Sequence, residues 1–140
     1  MIKVVGCWEF GWNTPFMESN LWRFPLSDFG VDEWIMTPVS GIKSSKVIEF
    51  EDIVSVIDSN PELTVVFIDE EGETSLSDYC HPENALYILG RASYSPFKTL
   101  KERGESVRIE TCKNKGLLWG HQAAGIVLYD RMKKYGNNNN

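Results

Sequence analysis

The chain is poor in the residues that mark disulfide-bonded and metal-binding proteins. It has three cysteines, Cys7, Cys80 and Cys112, which are far apart and form no C-x-x-C pair, and two histidines, His81 and His121. An odd number of scattered cysteines argues against a disulfide framework and against a zinc site. We therefore expect reduced thiols, a cytoplasmic location and no bound metal.

Long apolar runs and glycine-rich nucleotide motifs are missing as well. No apolar stretch approaches the roughly 20 residues that span a bilayer, and no basic region followed by an apolar stretch opens the chain. Neither G-x-G-x-x-G nor a Walker-type loop occurs, so no motif supports a dinucleotide or nucleoside-triphosphate site. We expect no membrane partner.

Length and composition fit one globular domain. The chain has 140 residues, of which 42% are hydrophobic and 24% are charged, which is enough to bury a core without cross-links. We expect a single domain over residues 1–135 and a flexible, asparagine-rich tail over residues 136–140.

Charge is distributed unevenly along the chain. Four basic and sixteen acidic residues give −12 in residues 1–90, whereas ten basic and four acidic residues give +6 in residues 91–140. Such an asymmetry can mark a polyanion-binding face on an otherwise repelling body. A solvated helix surface would produce the same pattern.

Apolar periodicity predicts strands that alternate with helices. The predicted strands are 2–8, 33–37, 63–69, 85–89 and 106–111. Helices are predicted from residue 14 to about 28 with an interruption at Pro25, and over 49–59, 96–103 and 122–135. Helix-sized connections between strands indicate an α/β fold, a mostly parallel sheet with helices on both faces, whose ligands bind beyond the carboxyl ends of the strands.

The last predicted helix begins with three small residues, Ala123, Ala124 and Gly125. Glycine in a helix interior costs about 1 kcal/mol relative to alanine, so a small-residue start indicates that something packs closely against the backbone. Close packing of helix on sheet or helix on helix would explain it. A ligand across the loop and the helix N-terminus would explain it equally.

Three stretches resemble a known family. They are FGVDEWIM at 29–36, HPEN followed by a strand and Gly90 at 81–90, and AAGIVLYD at 123–130. Together with the order of elements they resemble the SPOUT, or α/β-knot, RNA methyltransferases, most closely the branch that methylates ribose 2′-hydroxyls. The resemblance implies a C-terminal trefoil knot, a homodimer, an RNA substrate (tRNA or rRNA) and S-adenosyl-L-methionine as cofactor.

The resemblance also implies which residues hold the cofactor. Carried over by position, these are Leu89, Gly90, Arg91, Ile109, Glu110, Thr111, Leu117, Leu118 and Ala123. Because the family's contacts come from backbone, a valine at Gly90 is expected to block the cofactor and leave the fold intact.

The chain departs from the family at several motif positions. Ser93 stands where the family has a glutamate, and Trp119 and His121 replace an asparagine and a serine. The family's first helix carries an arginine that assists the ribose hydroxyl; Arg23 lies one place out of register with it, counted from Gly30.

Two residues are candidates for catalysis. Arg23 is either the helper of the ribose hydroxyl or a solvated arginine between two aromatic residues. His121 could be a general base, because an imidazole titrates near neutral pH, or could bridge loop backbone. Glu9 could face the substrate edge or be a plain strand-end carboxylate.

RNA contacts are expected from aromatic and basic side chains. The tryptophans at 12, 22, 34 and 119 could stack a base, although most tryptophans in a chain of this size belong to cores or interfaces. Phosphate contacts are expected from Lys98, Lys101, Arg103, Lys113 and Lys115. Three functions remain open: an RNA ribose methyltransferase, a knotted module that binds cofactor or RNA without turnover, and an unrelated α/β interaction domain.

Overall fold

A parallel sheet forms the centre of the computed structural model, which describes residues 1–11, 14–91, 93–112 and 118–138. Within these residues the strands lie in the order β3-β2-β1-β6-β4-β7-β5, and every neighbouring pair is parallel. The strands are β1 (Ile2–Cys7), β2 (Glu33–Thr37), β3 (Ile48–Glu49), β4 (Thr64–Ile68), β5 (Thr74–Ser75), β6 (Ala85–Leu89) and β7 (Glu105–Arg108).

The described residues form four α-helices, of which three connect strands and begin at a side-chain cap, and the fourth follows the last strand. Thr14 accepts a hydrogen bond from the backbone N–H of Met17 (3.3 Å), and Asp52 accepts one from Ser55 (2.8 Å). Ser95 caps the third helix in the same way. The helices are α1 (Pro15–Asp28), α2 (Ile53–Asp58), α3 (Pro96–Leu100) and α4 (Gly120–Asn138).

The predicted interruption at Pro25 is wrong, because α1 runs through this residue to Asp28. Proline removes one hydrogen bond, but its ring here lies on the side of α4, where a Cβ on Gly125 would stand 3.9 Å from Pro25 Cβ. The helix ends at Asp28, and Gly30, two residues later, has a φ of +70°, the left-handed conformation that glycine adopts without strain.

Two other predicted boundaries are corrected by pairing partners. The segment predicted as helix 49–59 begins as β3, because Phe50 N–H donates to the Met36 carbonyl (3.0 Å) and continues the ladder to β2. Its helical part starts only after the Asp52 cap. The predicted strand 106–111 is β7, which ends at Arg108, because its outer neighbour β5 has only two residues.

Helices cover both faces of the sheet, as predicted. Residues of β1, β2 and β6 that point to one face pack against α1 and α4, and among them Val4, Met36 and Tyr87 are almost fully buried. The opposite face packs against α2 and α3 through residues such as Val5 and Phe67. Among the described residues no helix is long and apolar enough to cross a membrane.

A buried polar network attaches α4 to the sheet. The His81 imidazole lies with Nδ1 2.7 Å from the Tyr87 hydroxyl and Nε2 2.7 Å from Asp130 Oδ2. Arg131 donates to the Tyr87 hydroxyl (3.0 Å) and to both carbonyls of the turn 82–83. These bonds fix the middle of α4. The helix continues to Asn138, three residues into the segment predicted as tail.

The network predicts a loss of stability at mildly acidic pH. Burial lowers the pKa of His81, and Asp130 opposes this shift without cancelling it. The unfolded chain therefore takes up the proton more readily than the folded protein. His81 stabilises the fold at pH values above ~6.5, its pKa in the unfolded chain, and this stabilisation is lost as the pH falls. We expect urea denaturation to give a lower free energy of unfolding at about pH 6 than at about pH 7.5.

The variant His81→Gln should weaken this pH dependence. His121→Gln is the matched comparison, because burial also lowers the pKa of His121 and each histidine should account for part of the fall. A His81→Gln protein whose stability falls with pH as steeply as the wild type would contradict the assignment.

Candidate functional site

A cleft of about 510 Å³ opens beyond the carboxyl ends of β4 and β6. Its walls are the ends of these strands, the loop that follows β6, and the start of α4. This is the edge at which open α/β sheets bind ligands. The cleft is lined by residues 68–70, 89–91, 93–95 and 118–120, together with Lys98 and Ala123.

A small apolar slot of about 70 Å³ continues the cleft toward β7. Ile68, Ile109, Leu118 and Ala123 give it aliphatic walls, and residues 69–70 border it as they border the cleft. Ala123 is small, so the backbone of α4 forms part of the wall. The aliphatic part of this lining suits an apolar ring.

The loop after β6 is closed by its own hydrogen bonds. Arg91 and Tyr94 exchange two backbone bonds of 2.9 and 3.0 Å. Ser95 donates its hydroxyl to the Asp69 carboxylate, which follows β4, and its oxygen also caps α3. The loop is therefore tied both to itself and to the neighbouring strand.

Gly90 serves this loop as well as the cleft. A Cβ at this position would stand 2.4 Å from the Tyr94 carbonyl oxygen and 3.0 Å from Pro96 Cδ. A valine would therefore deform the loop itself. The expectation that Gly90→Val would act on a ligand alone is wrong, because the protein's own backbone occupies the space.

The start of α4 is packed against the indole of Trp22, which is 1% exposed. A Cβ on Gly120 would stand 2.9 Å from this ring and 3.1 Å from the Gly90 carbonyl oxygen, and a Cβ on Gly6 would stand 2.5 Å from the same ring. Ala123 borders the cleft, and Ala124 is buried in the core. The small residues of α4 therefore serve both helix packing and the cleft wall.

A buried carboxylate holds Trp22 in place. Glu18, also 1% exposed, accepts the indole N–H of Trp22 (2.9 Å) and the backbone N–H of Glu9 (2.7 Å). Burial raises the pKa of Glu18, although both hydrogen bonds favour the ionised form. Glu18 thus connects α1 to the loop after β1, and the Glu9 side chain is itself nearly buried.

His121 lies between two indoles next to the cleft. Its ring centroid is 6.1 Å from that of Trp22 and 5.8 Å from that of Trp119, edge to face in both cases. Burial lowers the pKa of His121, and the nearby Glu9 carboxylate opposes this shift. Trp119 lines the cleft, whereas His121 lines a shallow groove between α1 and α4 on its other side.

Arg23 does not line the cleft. It is exposed on α1, and its guanidinium lies over the Phe24 ring, 4.7 Å from the ring centre. Trp22, its neighbour, points into the core instead. Within one copy of the chain, the structure does not bring Arg23 together with the cleft residues.

Most of the expected cofactor residues do meet. Five of the nine line the cleft (Leu89, Gly90, Arg91, Leu118, Ala123), and Ile109 lines the slot. Thr111 has a buried hydroxyl without a hydrogen-bond partner among the described residues. Glu110 is exposed and pairs with Arg108 at 3.4 Å, and Leu117 lies outside the described residues.

The β4 side of the cleft is not among the predicted site residues. Ile68, Asp69 and Glu70 line it, whereas the sequence pattern predicts only a strand over residues 63–69 there. The signal was present, because carboxyl ends of adjacent parallel strands share one edge. What was lacking was the knowledge that β4 and β6 are neighbours.

Comparison with known proteins gives matches among solved structures. No protein-family model and no curated protein matches the chain. A protein whose structure concerns 2-OH methylation of C/U34 on tRNA has a TM-score of 0.77 at 16% identity, over 98% of this chain and 97% of that one. The SpoU methyltransferase AviRb from Streptomyces viridochromogenes, in complex with AdoMet, has 0.77 at 14%, over 98% and 61%. An RNA 2′-O ribose methyltransferase has 0.75 at 13%, over 96% and 56%.

The chain spans nearly the whole of the first of these proteins and less than two thirds of the other two. At such identities the similarity establishes the fold. The resemblance to the α/β-knot family is confirmed at that level: this chain has the fold of the SpoU RNA methyltransferases.

Proposed function

We propose that the protein is an S-adenosylmethionine-dependent RNA methyltransferase that acts on ribose 2′-hydroxyls of tRNA or rRNA. The observation that carries the proposal is the cleft with its apolar slot at the carboxyl ends of β4 and β6. It stands in a fold shared with a SpoU methyltransferase solved with AdoMet and with a protein that concerns 2-OH methylation of tRNA.

The residues present fit an adenosyl cofactor. The cleft volume of about 510 Å³ falls in the range of about 300–1,000 Å³ that is usual for small-molecule pockets. The slot offers aliphatic walls for a purine, and the buried Thr111 hydroxyl lies just beyond Ile109 without a partner among the described residues. A buried hydroxyl left unpaired is costly, so a ligand that bonds to it would be favoured.

Each part of the cleft has a proposed role toward the cofactor. Ile109, Leu118 and Ala123 hold the purine, and residues 89–91 contact the remainder through backbone atoms. Arg91 and Lys98 supply positive charge for the methionine carboxylate. When bound, the cofactor supplies an electrophilic methyl group, so that its S–CH₃ bond breaks as the new O–CH₃ bond forms.

The ribose hydroxyl must release its proton in such a transfer, and we assign this role first to His121. Because burial lowers its pKa, the imidazole is neutral at pH 7 and can accept a proton. It also stands beside Trp119, which lines the cleft. Arg23 is the second catalytic candidate, as a helper that donates a hydrogen bond to the ribose oxygen, because a guanidinium stays protonated and cannot take the proton. It could reach a substrate only at a surface formed with another molecule.

We further propose a homodimer that pairs the α1 and α4 faces. Large apolar side chains are exposed on both helices, among them Phe16 (70%), Phe24 (58%) and Tyr129 (53%). The shallow groove between the helices, about 480 Å³ in volume, is almost entirely apolar, and its end at Phe29 and Tyr129, away from His121, would be covered in such a dimer. Pairing of these faces would also bring Arg23 of one copy toward the other.

The C-terminal part of the chain is also proposed to be knotted, as the resemblance implies. β7 lies next to β4 on the side away from β6, whereas α4 begins against Trp22 and the Gly90 carbonyl. The separation of these two positions across the sheet supports the proposal. An experimental chain trace that opens when its two ends are pulled apart would contradict the knot.

RNA would be held by basic residues on the surface beyond the cleft. Lys98, expected among the phosphate contacts, lines the cleft and is assigned to the cofactor instead. Lys101 is exposed, whereas Arg103 pairs with Asp58 at 2.6 Å on the surface. Lys113 and Lys115 lie outside the described residues. Because phosphate contacts release counterions, RNA binding should weaken steeply as salt rises.

Methyl transfer from tritiated S-adenosylmethionine to bulk tRNA and rRNA tests the proposal. Tritium should appear in dinucleotides that resist alkaline hydrolysis, since a 2′-O-methyl group blocks cleavage at that position. The second candidate function is a knotted module that binds cofactor or RNA without turnover. It is favoured by Trp119 and His121 at the motif positions, and binding without any incorporation would support it.

The variant Ala123→Leu should weaken binding of S-adenosylhomocysteine by tenfold or more. The larger side chain would occupy the slot of about 70 Å³ from the α4 side and exclude the purine. Isothermal titration calorimetry measures the effect. Gly125→Ala is the matched control on the same helix, because a Cβ there meets only Pro25 at 3.9 Å and should leave affinity unchanged. Equal affinity in Ala123→Leu and the wild type would remove the slot from the site.

Removing the proton acceptor should slow turnover without affecting cofactor binding. We expect His121→Ala to lower the methylation rate by roughly 10²-fold, the usual range for a positioned proton-transfer group. Arg23→Ala should have a comparable effect only if the dimer brings this side chain to the site. Single-turnover rates and cofactor affinity are measured together. Full activity in the double variant would show that neither residue acts on the ribose hydroxyl.

Sedimentation should show a dimer at micromolar concentration. Tyr129→Glu places a charge on the exposed α4 face and should convert the dimer to a monomer, because a buried unpaired charge is strongly unfavourable. Glu102→Gln, on the surface beyond α3, is the control and should leave the dimer intact. A wild-type monomer under these conditions would contradict the proposed pairing.

A further inference from the structure

The β4 side of the cleft carries two neighbouring carboxylates with different roles. Both oxygens of Asp69 are occupied, since one accepts the Ser95 hydroxyl and the other accepts the backbone N–H of Glu71 at 2.9 Å. Asp69 also donates its own N–H to the Val107 carbonyl (3.0 Å). It is a structural tie between β4, β7 and the loop after β6.

The Glu70 carboxylate, in contrast, is not held by hydrogen bonds to described residues. Its side chain is exposed and lines both the cleft and the slot. It makes no hydrogen bond or ion pair with any residue that the structure describes. A carboxylate offers only acceptor oxygens, so Glu70 presents two unused acceptors at the junction of the two cavities.

The position of this junction limits what Glu70 can meet. The slot is aliphatic and suits the purine, and the cleft beyond it is polar, with Arg91 and Lys98 among its lining residues. In an adenosyl group the ribose is bonded directly to the purine. A purine in the slot therefore places its ribose where the slot opens into the cleft. Residues 68–70 line both cavities at this point.

Resting on the proposed function, we propose that the Glu70 carboxylate accepts hydrogen bonds from the 2′- and 3′-hydroxyls of the adenosyl ribose. Two acceptor oxygens match two adjacent donors, and an acidic side chain performs this role for the ribose of NAD in dinucleotide-binding folds. The geometry also sets the direction of the cofactor, with its diol at the Glu70 side and its carboxylate toward Arg91 and Lys98. Glu70 is thus a specificity-determining residue for a ligand that carries an intact vicinal diol.

Calorimetric titration of four ligands into three proteins tests the assignment. The ligands are S-adenosylhomocysteine, adenosine, 2′-deoxyadenosine and 3′-deoxyadenosine. The proteins are the wild type, Glu70→Ala and Glu71→Gln, where Glu71 is the adjacent carboxylate that lines neither cavity. Thermal unfolding checks that the variants fold, which is expected because Glu70 has no partner among the described residues.

We expect Glu70→Ala to weaken S-adenosylhomocysteine and adenosine by about tenfold or more, in line with the loss of hydrogen bonds to a charged acceptor. The wild type should bind either deoxyadenosine more weakly than adenosine, and Glu70→Ala should bind all three nucleosides about equally. Glu71→Gln should behave as the wild type.

Two outcomes would overturn the assignment while leaving the proposed function intact. One is unchanged affinity for S-adenosylhomocysteine in Glu70→Ala. The other is an equal loss for adenosine and both deoxyadenosines, which would show that Glu70 acts on the ligand without contacting the diol. Failure of the wild type to bind S-adenosylhomocysteine at all would instead defeat the proposed function, and this assignment with it.

Discussion

The insertion of one indole between two glycines is the contact on which the site depends. Trp22 fills the space left by Gly6 on β1 and Gly120 at the start of α4, and a Cβ at either glycine would come within 3.0 Å of the ring. Glu18 fixes the ring through its N–H at 2.9 Å. Because Gly120 also lies against the Gly90 carbonyl, this contact places the start of α4 beside the loop after β6 and so forms one wall of the cleft.

The contact has an energetic consequence for this end of the molecule. A carboxylate buried as deeply as Glu18 is unfavourable unless its oxygens are bonded, and here an indole and a backbone N–H supply those bonds. Loss of Glu18 would leave two buried donors unpaired, which costs more than the bonds contribute. The Glu18 carboxylate therefore makes the packing of α1 against the loop after β1 specific, since an apolar side chain at this position would leave both the Trp22 and the Glu9 N–H groups unpaired.

Local patterns in the sequence predicted the main helices and strands. Thr14 and Pro15 mark the start of α1, and the uninterrupted apolar run Ala85–Leu89 marks the central strand. Both signals depend only on residues that are close together in the chain. Contacts between distant segments were not predictable in this way. Asp69 and Glu70 reach the cleft only because β4 pairs with β6, and Glu18 is buried although its residue type suggests a solvated helix face.

The cleft of this chain also differs in composition from the family pattern that the sequence suggested. Ser93 takes the place of a glutamate in the loop after β6, yet the cleft is not without acid, because Asp69 and Glu70 enter from β4. Trp119 and His121 replace smaller polar residues, and the His121 ring meets both Trp119 and Trp22 edge to face. The same fold therefore supports a cleft whose acidic side chains follow a different strand and whose α4 side is aromatic.

A crystal structure of the protein with S-adenosylhomocysteine tests the cofactor site directly. We expect the purine between Ile109, Leu118 and Ala123, and the ribose hydroxyls within hydrogen-bond distance of Glu70. The homocysteine carboxylate should lie toward Arg91 and Lys98. Ligand bound elsewhere on the molecule, or an empty cleft at saturating ligand concentration, would contradict it.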